Sequence, residues 1–474
     1  MPSDPSELEL SAPAMRNLVD KAMARLLAHM AALEAQPAMD LEGADELALS
    51  LAEPLPRSGV PFESLLDLLF GKAIPKSLNT ASPGYLAYIP GGGLFHSAVA
   101  DLISDTVNRY VGIWAAAPAL VQIEVNVVRW LCEMAGYPRS AGGILTSGGS
   151  IANLTAVIAA RADRLPEDFL KGTLYTSSQT HHSVEKAAAL AGFPARNVRA
   201  VDVDGRQRLR MDLLARSIAQ DRAAGLMPFL LVANAGTTNT GAVDDLEAAA
   251  TLAAREGLWL HVDAAYGGFF VLTGQGRETL RGMARADSIT LDPHKGLGLP
   301  YGTGSLLVRD PLTLRRANHA SADYLQDMQM DEAKVDFSEL SPELSRDFRG
   351  LRVWLPLKLH GVAPFERHLE EKLALARFAC EELRRIPGVE IMAEPQLSIL
   401  AFRLNPGGMG RDARNDLNRR FLEAINAPGR ICLSPTFLGG DFVLRICVLS
   451  FRTHRDRMEM GLEDIRAAAR ALQR

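Results

Sequence analysis

LHVDAAYGGFF at 260–270 and SITLDPHKGLGLPYGTGSLLV at 288–308 decide the fold. Each opens as a short apolar run and reaches an acidic residue, Asp263 in the first and Asp292 in the second. Short apolar runs bounded by turn signals read as strands buried on both faces. Working outward, PFLLVANAG precedes the Ala-rich DDLEAAATLAARE, and GILTSGG precedes SIANLTAVIAARA. Apolar strands alternating with Ala-rich helical runs, from about 91 to 315, predict an α/β fold with a mostly parallel sheet covered on both faces.

The flanks read differently. Between Met15 and Leu33 the apolar residues Leu18, Val19, Met23, Leu26, Leu27 and Met30 recur at helical spacing. They predict an amphipathic helix whose stripe needs a partner, in its own domain or in a second subunit. Residues 35–90 are Pro-rich and irregular. From His319 to Glu343 a polar segment lacks periodicity and predicts a long mobile loop. Helical runs from Arg349 and over Phe365–Ile386, the strand candidates SILAFRL and FVLRICVLSF, and a last helix in MEMGLEDIRAAARALQ predict a small C-terminal α+β domain.

With 474 residues and 47% hydrophobic content the chain can bury two or three domains. The net charge of -5 is dispersed, with no basic stripe to track phosphates, which argues against a nucleic-acid partner. MPSDPSELEL is acidic without a basic leader, and no run reaches the ~20 apolar residues of a membrane span. A cytoplasmic location away from membranes is the expectation. Cys132, Cys380, Cys432 and Cys447 are scattered without a CxxC pair, so buried thiols are expected, and neither a metal site nor a disulfide framework.

Asp263 closes an apolar strand, where a carboxylate is rare unless paired, and Lys295 follows in a Gly-punctuated turn. One cofactor needs that pair. Pyridoxal 5′-phosphate (PLP) takes a lysine amine for its aldimine and a carboxylate against its pyridine nitrogen, whose protonated ring is an electron sink. Singly, Asp263 reads as a cap residue and Lys295 as a solvated surface lysine; the DPHK context joins them. Thr146-Ser147-Gly148-Gly149-Ser150 lies between a strand and a helix expected to begin near Ile151. There glycines let backbone approach a phosphate and Ser150 can cap the helix. Alone it is an ordinary turn. His181 and His182, in YTSSQTHHSVEKAAALAG, read as surface or capping residues unless one imidazole stacks on the cofactor ring.

His181-His182-Ser183-Val184-Glu185-Lys186, VDAAY at 262–266 and Asp292-Pro293-His294-Lys295 together resemble the group II PLP-dependent decarboxylases, the family of aromatic-L-amino-acid decarboxylase. The resemblance runs in order from about Ser82 to Phe451. It implies a PLP fold-type I (aspartate-aminotransferase-like) homodimer with the site at the subunit interface. The expected division is a helical dimer arm at 1–90, a PLP-binding domain at 91–345 with a mobile loop at about 319–343, and a small domain at 346–474. By resemblance Lys295 is the Schiff-base lysine, His181 the ring-stacking histidine and Asp263 the partner of the pyridine nitrogen. Ala265 lies under the ring, and Gly148, Gly149 and Ser150 hold the phosphate. Thr237 matches a threonine near the ring oxygen, Asp292 a phosphate-side position that is often Asn, and His294 a histidine reaching the neighbouring subunit's pocket.

The implied reaction is decarboxylation of an L-amino acid, with an aromatic side chain favoured, to amine and CO2 through a Lys295 aldimine and a quinonoid. One position departs from the pattern. Counting back from Arg349 places Phe337 where the family's loop carries a proton-donating tyrosine, with Tyr324 earlier in the segment. Phenylalanine there is associated in the family with oxidative aldehyde synthesis, which is the second reading. Tyr88 and Trp114 are substrate-pocket candidates beside Tyr324 and Phe337, and equally ordinary core aromatics. A PLP aminotransferase, a membrane-anchored PLP lyase and a scaffold without chemistry are weaker alternatives.

Overall fold

Strand PFLLVAN shows why the central layer forms where it does: from Phe229 to Asn234 every residue is buried, so both faces of the strand must be covered. The computed structural model describes residues 8–318 and 334–473. Seven strands make the central sheet: β1 (Gly142–Thr146), β2 (Gly172–Ser177), β3 (Val198–Val201), β4 (Met227–Asn234), β5 (Trp259–Asp263), β6 (Ser288–Leu291) and β7 (Gly304–Val308). Their order is β1-β7-β6-β5-β4-β2-β3, and only β7 runs antiparallel to its neighbours. The α/β expectation holds.

Helix chemistry fixes the connections. Asp245 caps the helix Leu246–Glu256, its carboxylate accepting from Ala248 N at 3.0 Å, and Gly257 ends it in the left-handed region at φ 65°. Register brings Asn234, Asp263 and Thr290 side by side at the carboxyl edge of β4, β5 and β6. Ligands of open α/β sheets sit at that edge.

A second, antiparallel sheet of four strands lies towards the C-terminus, in the order β10-β11-β9-β8: β8 (Val389–Ala393), β9 (Ile399–Leu404), β10 (Ser434–Leu438) and β11 (Asp441–Cys447). Apolar faces of the helices Ala363–Arg384, Arg411–Asn426 and Arg455–Leu472 close over it in one core with Phe402, Phe421 and Leu444.

The N-terminal amphipathic helix spans Ala12–Ala31 and buries none of its residues. Met15, Val19, Leu26 and Leu27 stay exposed on it. All four cysteines are free and buried; burial pushes the Cys132 thiol up to about 12. Of the expected loop at 319–343, residues 319–333 lie outside the described residues, and Tyr324 with them.

Candidate active site

Three strand ends and one helix start converge on a cavity of about 260 Å³. After β1 the chain turns straight into the helix Gly149–Arg164. That helix begins before the expected Ile151, with Gly148 at its N-cap, so Ser150 sits in the first turn and does not cap it. Gly304, at the start of β7, packs closely against the turn: a Cβ there would lie 2.5 Å from Gly148 Cα and 2.8 Å from Asp292 Oδ1. Asp263 ends β5, and Asp292 follows β6 and precedes the short helical turn Pro293–Gly296 that carries Lys295.

Lys295, Asp263, His181, Gly148, Gly149, Ser150, Thr237, Ala265, Asp292 and His294 all line this cavity. Lys295 Nζ lies 2.8 Å from Asp292 Oδ2. Burial disfavours the Lys295 ammonium, but the Asp292 carboxylate outweighs it and holds the amine above the ordinary lysine value. Asp263 accepts from Asn153 Nδ2 at 3.0 Å and from Ala265 N at 3.2 Å. Burial pulls His181 below the ordinary imidazole value despite Asp263 nearby, so it is neutral at pH 7. His294 Nδ1 donates to the Thr303 carbonyl at 2.6 Å, and His294 lines this cavity.

The walls suit PLP. Asp292 Oδ1 is buried and has no hydrogen-bond partner among the described residues, so one polar atom there is left for a ligand. A Cβ on Gly149 would lie 3.0 Å from Asp292 Oδ2 and 3.2 Å from Ala265 Cβ, so glycine keeps this wall open. An amine, an opposed carboxylate and the N-terminus of a long helix are what an aldehyde, a pyridine nitrogen and a phosphate require.

Three of the substrate-pocket candidates, Phe337, Trp114 and Tyr88, are placed elsewhere, and Tyr324 lies outside the described residues. Phe337 is 1% exposed and packs in the core with Val111, Ile144, Leu306 and Val308, under the Arg346 guanidinium 4.9 Å from the ring centroid. Trp114 packs against the same cluster. Tyr88 is exposed and holds a left-handed φ of 49°, its backbone fixed by Ser434 Oγ and Arg445. None of the three lines the cavity. Asn153, Ser183, Asn234 and Tyr266 line it and were not singled out from sequence. His261, two residues before Asp263 on the same face of β5, lies behind the wall; period-two alternation was the available signal.

Residues 66–405 match the pyridoxal-dependent decarboxylase conserved domain. The chain is 36% identical to an aromatic-L-amino-acid decarboxylase of Bacillus atrophaeus over 98% of its own length and 97% of that protein's. It is 30% identical to a phenylacetaldehyde synthase of Arabidopsis thaliana, covering 84% of each chain. Among solved structures, TDC of Oryza sativa with PLP and tryptamine superposes with a TM-score of 0.94 at 28% identity, over 99% of this chain and 100% of that one.

Proposed function

The chain belongs to the pyridoxal-dependent decarboxylase family, and from that premise we propose that it removes the α-carboxylate of an aromatic L-amino acid to give the amine and CO2. It is a PLP-dependent carboxy-lyase acting on an amino acid; the aromatic side chain is our reading, supported by the relatives. One observation carries the chemistry: Lys295, Asp263 and the start of the helix Gly149–Arg164 line a single cavity.

Bound PLP supplies an electron sink for the bond that releases CO2. Lys295 offers the amine for its aldehyde. Asp292 Oδ2 at 2.8 Å holds the amine in place as an ammonium, which must give up a proton before it can act as a nucleophile. Asp263, held in place by Asn153 Nδ2 and Ala265 N, would face the pyridine nitrogen as its carboxylate partner. Neutral His181 offers a flat ring at the cavity wall without adding charge. Gly148, Gly149 and Ser150, at the start of the helix, would hold the phosphate, with Thr237, Ala265, Asp292 and His294 completing the walls.

The oxidative alternative rested on Phe337, whose ring packs in the core and does not line the cavity, so amine is the product we propose. The exposed stripe on Ala12–Ala31 supports a homodimer, since an apolar helix face without a partner is costly. The three-part division at 90 and 345 and a cytoplasmic location belong to the same proposal; among the described residues no helix is long and apolar enough to cross a membrane. Incubating purified protein with a panel of amino acids in air, while measuring CO2, amine, aldehyde and peroxide, tests it. Aromatic substrates should give CO2 and amine in equal amounts; aldehyde with peroxide would replace this reading by the oxidative one.

A further inference from the structure

Behind the cavity wall a line of buried side chains joins the sheet core to both Asp263 and His181. A carboxylate only accepts hydrogen bonds, so the group 3.0 Å from Asp263 Oδ2 must be the Asn153 NH2. The Asn153 carbonyl oxygen then faces His261 Nε2 at 3.0 Å and the Thr290 hydroxyl at 2.8 Å. An amide oxygen needs donors, so His261 carries its proton on Nε2. Its Nδ1 is left to accept from the Ser288 hydroxyl at 2.8 Å, while Ser288 Oγ accepts from the donor-only Trp259 Nε1 at 2.8 Å. Burial lowers His261 to about 4, so one neutral tautomer serves the whole neutral range.

The second Asn153 N–H points to Ser183 Oγ at 2.9 Å. Ser183 therefore gives its own proton to His181 Nδ1 at 2.8 Å, where the Ser183 backbone N–H also donates at 3.2 Å. That leaves the His181 proton on Nε2. Every donor and acceptor from Trp259 to His181 is matched in this polarity. Reversing it would set the Asn153 oxygen against the Asp263 carboxylate.

We propose that Asn153, oriented by His261, is a positioning residue that sets two cavity groups at once: the orientation of the Asp263 carboxyl group and the Nε2–H tautomer of His181. This rests on the reading of Asp263 as the pyridine-nitrogen partner. The experiment compares Asn153→Ala, His261→Leu, His261→Gln, Ser183→Ala and Asp263→Asn, each loaded with PLP, by kcat, KM and the pH titration of bound-PLP absorbance. Asn153→Ala and His261→Leu should lower kcat by about 10–100-fold while KM moves little, as losses of supporting shells do, and should shift the absorbance midpoint. His261→Gln can still donate to the Asn153 oxygen and should restore most of the rate.

Folded, PLP-loaded Asn153→Ala and His261→Leu proteins with unchanged kcat and midpoint would overturn the proposal, as would a Gln variant no better than Leu. Should those core variants fail to fold, Ser183→Ala decides. It cuts only the branch to His181, so it should move the pH profile of kcat/KM and leave the absorbance midpoint in place; no movement in the profile overturns the coupling. If Asp263→Asn is itself indistinguishable from wild type, the reading of Asp263 falls. If Asp263→Asn is impaired and the Asn153 and His261 variants are not, only the present proposal falls.

Discussion

Replacing Phe337 by Tyr separates a catalytic role for this ring from a structural one. The ring is 1% exposed and sits among Val111, Ile144, Leu306 and Val308 with a guanidinium over its face. A hydroxyl at its tip would enter packed core, and burying it without a partner costs about 1–3 kcal/mol. Phe337→Ala, which empties the site, costs about 3–5 kcal/mol. Unfolding entropy near ~2.1 cal/mol/K per residue gives roughly 1 kcal/mol/K for 474 residues, so calorimetry should show Tm falling by about 1–3 °C for Tyr and about 3–5 °C for Ala. Chromatography of the products should give the same amine-to-aldehyde ratio in wild type and Phe337→Tyr. A Tyr variant with unchanged Tm and an altered aldehyde share would refute the placement of this ring in the core and restore it to the reaction.

Glu124 Oε1 and Arg346 Nη2 meet at 2.5 Å with neither side chain exposed, so Glu124→Gln should lose about 3–5 kcal/mol in urea unfolding. Adding Arg346→Met should recover much of that by removing the stranded cation; an additive double mutant would contradict the pairing. Lys295→Ala should abolish the borohydride-reducible PLP adduct, read by intact mass. It also leaves Asp292 without its cation, so adding Asp292→Asn should raise the Tm of that variant. Burial lowers His261 to about 4 and His368 to about 3 in the folded chain. Below pH ~6.5 the unfolded chain binds protons at these rings that the folded chain refuses, so stability should fall as pH drops from there towards 4. His261→Gln should flatten Tm against pH in that window; an unchanged slope would remove His261 from the acid response.

The sheet and most of the cavity were legible because their signals are local. An apolar run ending in Asp263, another followed by DPHK, and a Gly-rich turn before an Ala-rich helix each state their own geometry. Asn153 was not legible, because a polar residue on one face of a helix looks solvated until the strand it meets is known. Phe337 was misplaced for the opposite reason. Counting along the chain fixes an ordinal position, whereas the stacking of Arg346 and the pull of the Ile144 core decide which way the ring turns. Tyr88 and Trp114 carry aromatic character that sequence reads at once, but direction is a tertiary property.

The pinch between Gly304 and Gly148 has a consequence for how this cavity can be altered. Two backbones far apart in the sequence lie against each other with no room for a methyl group on Gly304. The position of the turn that would receive a phosphate is thus inherited from the start of β7. Libraries that vary residues 146–150 alone would search a space already closed by a distant residue. Reshaping the turn requires β7 to change in the same molecule.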